Sequence, residues 1–372
     1  MSGLGALRAE VVDFLASEIA ENRFVPRCNA WMDGHDKSFS ARLGERGWIG
    51  MTWPVRYGGH NRSALERHAV TEELLAAGAP VAAHWFADRQ VGPQLLRFGT
   101  EKQRARFLPG MARGECFFAV GMSEPDAGSD LAAVRTAACR VDGGWSLSGT
   151  KVWTSHARES DFMMTLCRTA SPTADRHEGL SQLIVDLRSD GVSVHPIESV
   201  GGGSHFSEVV LDAVFVPDGD VVGELGRGWA QVTSELAVER SGPERFLSTM
   251  PLLEAAIVDL HAVPDRSDAE RLGRVFARLL ALRHLSLAVA GRLAAGEVPD
   301  VDAALVKDLG TRTEQDLVDE LRLLTRPADF DGSRFYELLL EAQNASPGFT
   351  LRGGATEILR GMIGRELVGG SV

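Results

Sequence analysis

At 372 residues the chain is long enough for two or three packing units, because single hydrophobic cores stop growing well below this size. Its 44% apolar and 24% charged residues are ordinary for a globular protein. The formal net charge of −12, from 39 Lys and Arg against 51 Asp and Glu, argues against nucleic acid or an anionic membrane as the main partner, since both reward clustered basic side chains.

The chain opens helical. Leu7, Val11, Phe14, Leu15 and Ile19 recur at helical spacing with Arg8, Glu10 and Asp13 between them, which is one apolar stripe on a solvated helix. No basic stretch followed by an apolar one precedes it, and no run approaches the roughly 20 apolar residues a membrane helix needs, so a cytoplasmic location is expected. Cys28, Cys116, Cys139 and Cys167 are scattered, with no Cys-x-x-Cys spacing and no histidine cluster beside them. Four buried, reduced thiols are therefore expected, with neither a zinc site nor a disulfide framework. After a turn-rich segment at 48–62, residues 64–77 and 90–108 read as further helices.

The period then changes to two. Cys139 and Val141 alternate with Arg140, Asp142-Gly143-Gly144 supplies turn chemistry, and Trp145 and Leu147 alternate on the return, which predicts a hairpin. Strand-like runs come next at 162–167, 183–187 and 209–215. Gly201-Gly202-Gly203 fits no strand–turn–helix pattern and reads as a loop rather than a phosphate cradle. From Trp229 onward the reading is helical again, through 246–260, 269–295, 302–324, 335–343 and 356–368. The expected fold is α+β, mainly α: an N-terminal helical domain over 1–115, a middle antiparallel β domain over 116–222 and a C-terminal helical bundle over 223–372.

Two short stretches carry the chemistry. Met122-Ser123-Glu124-Pro125-Asp126-Ala127-Gly128-Ser129-Asp130 precedes the hairpin, and Lys151-Val152-Trp153-Thr154-Ser155 closes it. Together they supply small hydroxyl residues, a glycine-containing turn and one tryptophan, which suits a flat heteroaromatic cofactor that needs a stacking wall and a few hydrogen-bond donors. Ser-Glu-Pro-x-Ala-Gly-Ser-Asp followed by Lys-x-Trp-x-Ser resembles the signature of the acyl-CoA dehydrogenase family. Gly47-Trp48-Ile49-Gly50, Trp53-Pro54, Tyr57-Gly58-Gly59, Glu72-Glu73-Leu74, Phe98-Gly99-Thr100, Leu108-Pro109 and Val216-Pro217 resemble the family in the same order, so the likeness covers nearly the whole chain.

The resemblance implies FAD as cofactor. Met122, Ser123, Thr154 and Ser155 would contact the flavin, Trp153 would wall one face of it, and Ser129 would touch flavin phosphate or the acyl-CoA chain. Turn capping is the competing reading for Ser123 and Ser129, and core packing for Trp153. The reaction implied is α,β-dehydrogenation of an acyl-CoA thioester, in which a carboxylate removes the α-proton and the β-hydrogen leaves as hydride. In many members that base precedes a Gly-Thr pair near the C-terminus, a place aligned here with Gly353, which has no side chain. Other members carry it just before an arginine on the helix after the β domain, and Ala237-Val238-Glu239-Arg240 resembles that arrangement.

Glu239 is therefore the expected base, with Arg240 beside the substrate. Pro243 cannot donate to the carbonyl of Glu239 and should kink the helix there. Glu244 is the rival; its competing readings are a pair with Arg240 and a capping box with Ser241. The family's Arg-x-x-Phe-Gly and Gln-x-x-Gly-Gly-x-Gly elements, which grip the FAD phosphates across a subunit interface, are replaced by a segment around Arg271-Leu272-Gly273-Arg274-Val275-Phe276 and by Phe330-Asp331-Gly332-Ser333-Arg334-Phe335. The chain thus resembles the base-bearing subunit of a bacterial heterotetramer, with a paralogous subunit and an electron-transfer flavoprotein as partners and acyl-CoA as substrate. A non-catalytic paralogue, or an oxidase or monooxygenase of the same fold, are the alternatives. The glycine at 353 would leave room for a branched or polycyclic acyl group.

Overall fold

The computed structural model describes residues 3–171, 174–234, 240–259, 266–324 and 333–369. The chain divides into two compact units, one of Met1–Gly34, Ser63–Pro80 and Ala237–Val372, the other of His35–Arg62 and Val81–Leu236.

The second unit is built on an eight-stranded sheet: β1 (Phe118–Gly121), β2 (Ala137–Val141), β3 (Gly144–Ser155), β4 (Phe162–Arg168), β5 (Leu180–Asp186), β6 (Val192–Ile197), β7 (Phe206–Pro217) and β8 (Val221–Val222). Their order is β6-β7-β3-β2-β4-β5-β8, with β1 beside β4. The predicted hairpin is present, with Val141 facing Gly144 across Asp142-Gly143 and Gly143 at φ 74°. The expectation of a purely antiparallel sheet is corrected: β1 and β2 both run parallel to β4. A long connection, residues 122–161, separates β1 from β4, and parallel neighbours need such a crossover.

Two bulges interrupt the β3–β7 ladder. Leu147 faces Val214 and Gly149 faces Leu211, which places one extra residue on β7, where Ala213 has φ 51°. Lys151 faces Val209 and Thr154 faces Ser207, which places one extra residue on β3.

Strand β4 is covered on both faces, so it is buried along most of its length and reads as a nearly continuous apolar run. Phe162 and Met164 pack with Phe107, Leu108 and Trp53, on the side of helices Gly92–Phe98 and Glu101–Ala112; Met163 and Cys167 pack with Leu147, Leu183 and Val209. Thr100 and Gln103 form a capping box at the second of these helices, and Gln103 Nε2 also donates to the carbonyls of Gly219 and Val221, 2.8 Å each. One side chain thus starts a helix and ties it to the strand end. Of the four thiols, Cys28 and Cys167 are buried as expected, whereas Cys116 is half-buried and Cys139 exposed, the last because it stands on the outward side of the hairpin.

The first unit is helical. In helix Gly3–Ala20 the buried side chains are Leu7, Val11, Phe14, Leu15 and Glu18; Ile19 is exposed, a departure from the expected stripe. Glu18 tolerates burial because Arg23 donates to it at 2.8 Å. Helix Asp300–Arg322 buries Lys307 and Glu314 among Ala303, Ala304, Leu317 and Leu321. Lys307 Nζ donates to the carbonyl of Gly354 at 2.7 Å, and Glu314 Oε1 accepts from the Ser248 amide at 2.6 Å. Among the described residues no helix is long and apolar enough to cross a membrane.

Candidate functional site

The two chemistry-bearing stretches come together in the sheet unit, and the fold shows how. Lys151 Nζ donates to the Met122 carbonyl (3.0 Å) and to Glu124 Oε1 (2.8 Å), while the Val152 amide donates to the Ser123 carbonyl at 2.9 Å. Glu124 also accepts from the amides of Arg135 (2.6 Å) and Thr136 (2.9 Å). Lys151 is 0% and Glu124 8% exposed, so this is a buried ion pair with its spare lone pairs satisfied. Burial alone would push the Glu124 carboxyl up; the Lys151 ammonium and the hydrogen bonds from Thr136 and Arg135 outweigh it and hold the group below the usual carboxylate range. The Glu and Lys of the two stretches therefore fasten one to the other. Sequence alone does not assign that role, although an acidic and a basic residue placed in two apolar-flanked motifs are the available signal.

Past the fastening, the bulge on β3 turns the chain. Trp153 adopts left-handed φ 60° and His156 φ 53°, bracketing Thr154 and Ser155. A bulky residue in that region costs about 1–3 kcal/mol and persists only where its surroundings impose it, which points to a purpose. The result is an indole 57% exposed, meeting Phe206 edge-on at 5.7 Å between ring centroids, beside two buried hydroxyl residues. Thr154 Oγ1 is buried with no hydrogen-bond partner among the described residues. An exposed flat wall next to an unsatisfied hydroxyl fits a planar ring system with polar edge atoms, so the residues present suit a flavin.

The structure places Met122 and Ser123 half-buried at the end of β1, and Ser129 exposed past the tight Glu124–Ala127 turn, next to Asp130, which pairs with Arg176. Plain core packing is not the environment of Trp153. Trp153→Ala should therefore lower FAD retention while leaving the apo-protein's stability within about 1 kcal/mol, because surface truncations rarely cost more. FAD content after gel filtration, compared with the apo melting temperature, checks this; a buried tryptophan would instead cost about 3–5 kcal/mol.

In the helical unit, Glu239, the point at which the kink is predicted, lies outside the described residues. Pro243–Arg245 form a 3-10 turn, entered from an extended Gly242 at φ −79°, ψ 169°. The competing reading of Glu244 as part of a capping box is not met: the turn is capped at Gly242 without a side chain, and the Ser241 carbonyl accepts from Ser286 Oγ at 2.6 Å. The Glu244 carboxylate folds back over Gly242. Arg240 is 5% exposed and donates from Nε to the Gly353 carbonyl at 3.3 Å.

Gly353 has φ 67°, and a Cβ there would stand 2.9 Å from both terminal nitrogens of Arg245. The room expected at Gly353 is thus filled by a guanidinium. Arg245 and Arg352 lie 5.2 and 4.4 Å from the Trp31 ring centroid. Burial pushes the Glu314 carboxyl up to about 7, with Arg352 opposing. In the sequence, the signal for this buried charged group is Lys307 and Glu314 falling on the apolar stripe of their helix. Near the segment that replaces the first phosphate-gripping element, Arg271 pairs with Glu320 and Arg278 with Asp316, 2.7 Å each, while Arg274 is exposed.

The sequence matches the family model of the acyl-CoA dehydrogenase N-terminal domain over residues 5–115 and that of the middle domain over 119–214. It is 32% identical to acyl-CoA dehydrogenase FadE34 of Mycobacterium tuberculosis over 98% of this chain, and spans 50% of that protein's length. Identity to FadE29 of the same organism is also 32%, over 96% of this chain and 94% of the relative. The fold superposes on a chain of the ChsE4–ChsE5 complex from Mycobacterium tuberculosis with a TM-score of 0.84 at 28% identity, covering 100% of this chain and 98% of that one.

Proposed function

This chain belongs to the acyl-CoA dehydrogenase family, and from that premise we propose that it is the base-bearing subunit of a heteromeric, FAD-dependent dehydrogenase that converts an acyl-CoA thioester to the α,β-enoyl-CoA. The observation that carries the reading is the fastened pair of motifs, which offers an exposed Trp153 beside Thr154 and Ser155. Bound FAD supplies the two-electron acceptor for the β-hydrogen. Met122, Ser123, Thr154 and Ser155 hold the ring and Trp153 covers one face, with Ser129 toward the phosphates or the acyl-CoA. Glu239 takes the α-proton and Arg240 lies next to the substrate. Electrons leave to an electron-transfer flavoprotein.

Two features support a partner subunit. The family's phosphate-gripping elements are missing from this sequence, and of Arg271, Arg274 and Arg278, which stand near the first of them, Arg271 and Arg278 pair with acidic residues of their own unit while Arg274 is exposed. The neighbouring fold of the ChsE4–ChsE5 complex, which holds two different chains, points the same way. A phosphate left without its charged partner binds weakly. The chain purified alone should therefore hold FAD poorly, and co-expressed with a paralogue carrying Arg-x-x-Phe-Gly it should form a heteromer with fewer flavins than chains. Sedimentation together with the flavin-to-protein absorbance ratio tests this. A yellow homo-oligomer with one FAD per subunit and full activity would overturn the heteromeric assignment.

A further inference from the structure

Beside the cradle runs a file of rings that dehydrogenation does not by itself require. Lys37 Nζ stands 4.7 Å over Phe117, whose centroid is 6.4 Å from that of His35. His35 and His156 are 4.8 Å apart at 36°, and His156 and His205 6.1 Å apart at 37°. His205 meets Phe206 at 4.1 Å, and Phe206 meets Trp153 edge-on. Among the described residues no three His, Cys, Asp or Glu side chains could share a metal ion, so these imidazoles pack rather than coordinate.

His156 is the middle of the file. It is 5% exposed, its amide donates to the His205 carbonyl at 2.7 Å, and its own carbonyl accepts from the Ser160 amide (3.0 Å) and hydroxyl (2.9 Å). Its backbone is left-handed, a state that a residue with a side chain adopts at a cost. Those backbone hydrogen bonds hold it there together with its ring, which has a neighbouring imidazole on each side and Glu159 Oε2 3.9 Å from Nδ1.

We infer that His156 is a positioning residue for the cradle: its imidazole, seated between those of His35 and His205, fixes the corner that aims Ser155 and, through His205 and Phe206, backs the Trp153 wall. This rests on the reading of Trp153, Thr154 and Ser155 as a flavin cradle. Ser155 is the residue next to His156 along the chain and faces Phe206 in the ladder, so a corner that relaxes swings the hydroxyl directly. Trp153 is reached along the strand three residues away and through the two intervening rings.

The test is the dissociation constant of FAD and the shape of the bound flavin's visible absorption band, measured on the holo-protein with its partner subunit, beside the apo melting temperature. His156→Asn keeps a residue that accepts left-handed backbone but removes the ring; FAD should bind at least about tenfold more weakly, as expected when the support of a binding group is lost. His156→Phe restores a flat ring and should return affinity to within about threefold and recover the band shape. A purely structural role would lower the melting temperature without this rescue. Should His156→Asn fail to fold, His205→Ala leaves β3 untouched and is expected to weaken FAD in the same direction. If His156→Asn and His205→Ala bind FAD within about twofold of wild type while Ser155→Ala weakens it, the inference about His156 falls and the cradle stands. If Ser155→Ala is equally silent, both fall.

Discussion

Glu239→Gln should retain FAD and bind product-like CoA esters normally while turnover falls by about 10²- to 10⁴-fold, because the amide keeps the shape of the carboxylate but cannot accept a proton. The substitution is informative because Gly353, the alternative place for a base, has no side chain and carries the Arg245 guanidinium over it. The residue after Glu239 is anchored, since Arg240 is buried and donates to the Gly353 carbonyl. Single-turnover flavin bleaching separates the chemical step from electron transfer, and a charge-transfer titration reports ligand binding. Activity within tenfold of wild type would reject Glu239 and bring Glu244 forward for the same substitution. The pH–rate profile is a second check: the limb that the base produces should vanish in Glu239→Gln.

Lys151→Met should destabilise the protein by about 3–5 kcal/mol, since it strands the Glu124 carboxylate where two amides hold it but no cation faces it. Adding Glu124→Gln should recover part of the loss, as the two sites share one interaction. Glu124 is held below the usual carboxylate range in the folded protein, so the pair's contribution is fully present above the ordinary Glu pKa of about 4.3 and is lost as pH falls through the folded value. The gap between wild type and Lys151→Met should therefore be widest at neutral pH and close in acid. Urea unfolding at several pH values measures it; a loss below about 1 kcal/mol at pH 7 would mean that the pair does not fasten the two stretches.

Local chemistry made the helices and the hairpin legible. Asp142-Gly143 closes its turn where the alternation of Cys139, Val141, Trp145 and Leu147 demands one, and the helix predicted over 302–324 is found at Asp300–Arg322. Strand β6 escaped because only Val192 and Val194 alternate there, on a half-covered edge. The parallel pairing of β1 and β4 depends on partners far apart in sequence and leaves no local trace. The same is true of Trp153. An indole is core or cofactor wall according to whether a bulge on its own strand turns it outward, and that bulge exists only in the register with β7. Glu18 and Ile19 exchanged places because a charge with a partner five residues on can be buried more readily than apolar periodicity alone suggests.

The two bulges on the β3–β7 ladder offset each other: one extra residue on β7 near Ala213 is matched by one extra on β3 near Trp153, so both ends of the pair stay in step from Gly144–Pro217 to Ser155–Phe206. A length change at either place alone would carry the far end one position out of phase and invert which side chains face inward. Matched deletions at both would give an unbroken ladder with its interior intact and no outward indole. The strand pair can therefore gain or lose the outward turn at position 153, whichever side chain stands there, only by paired insertions or deletions on two strands.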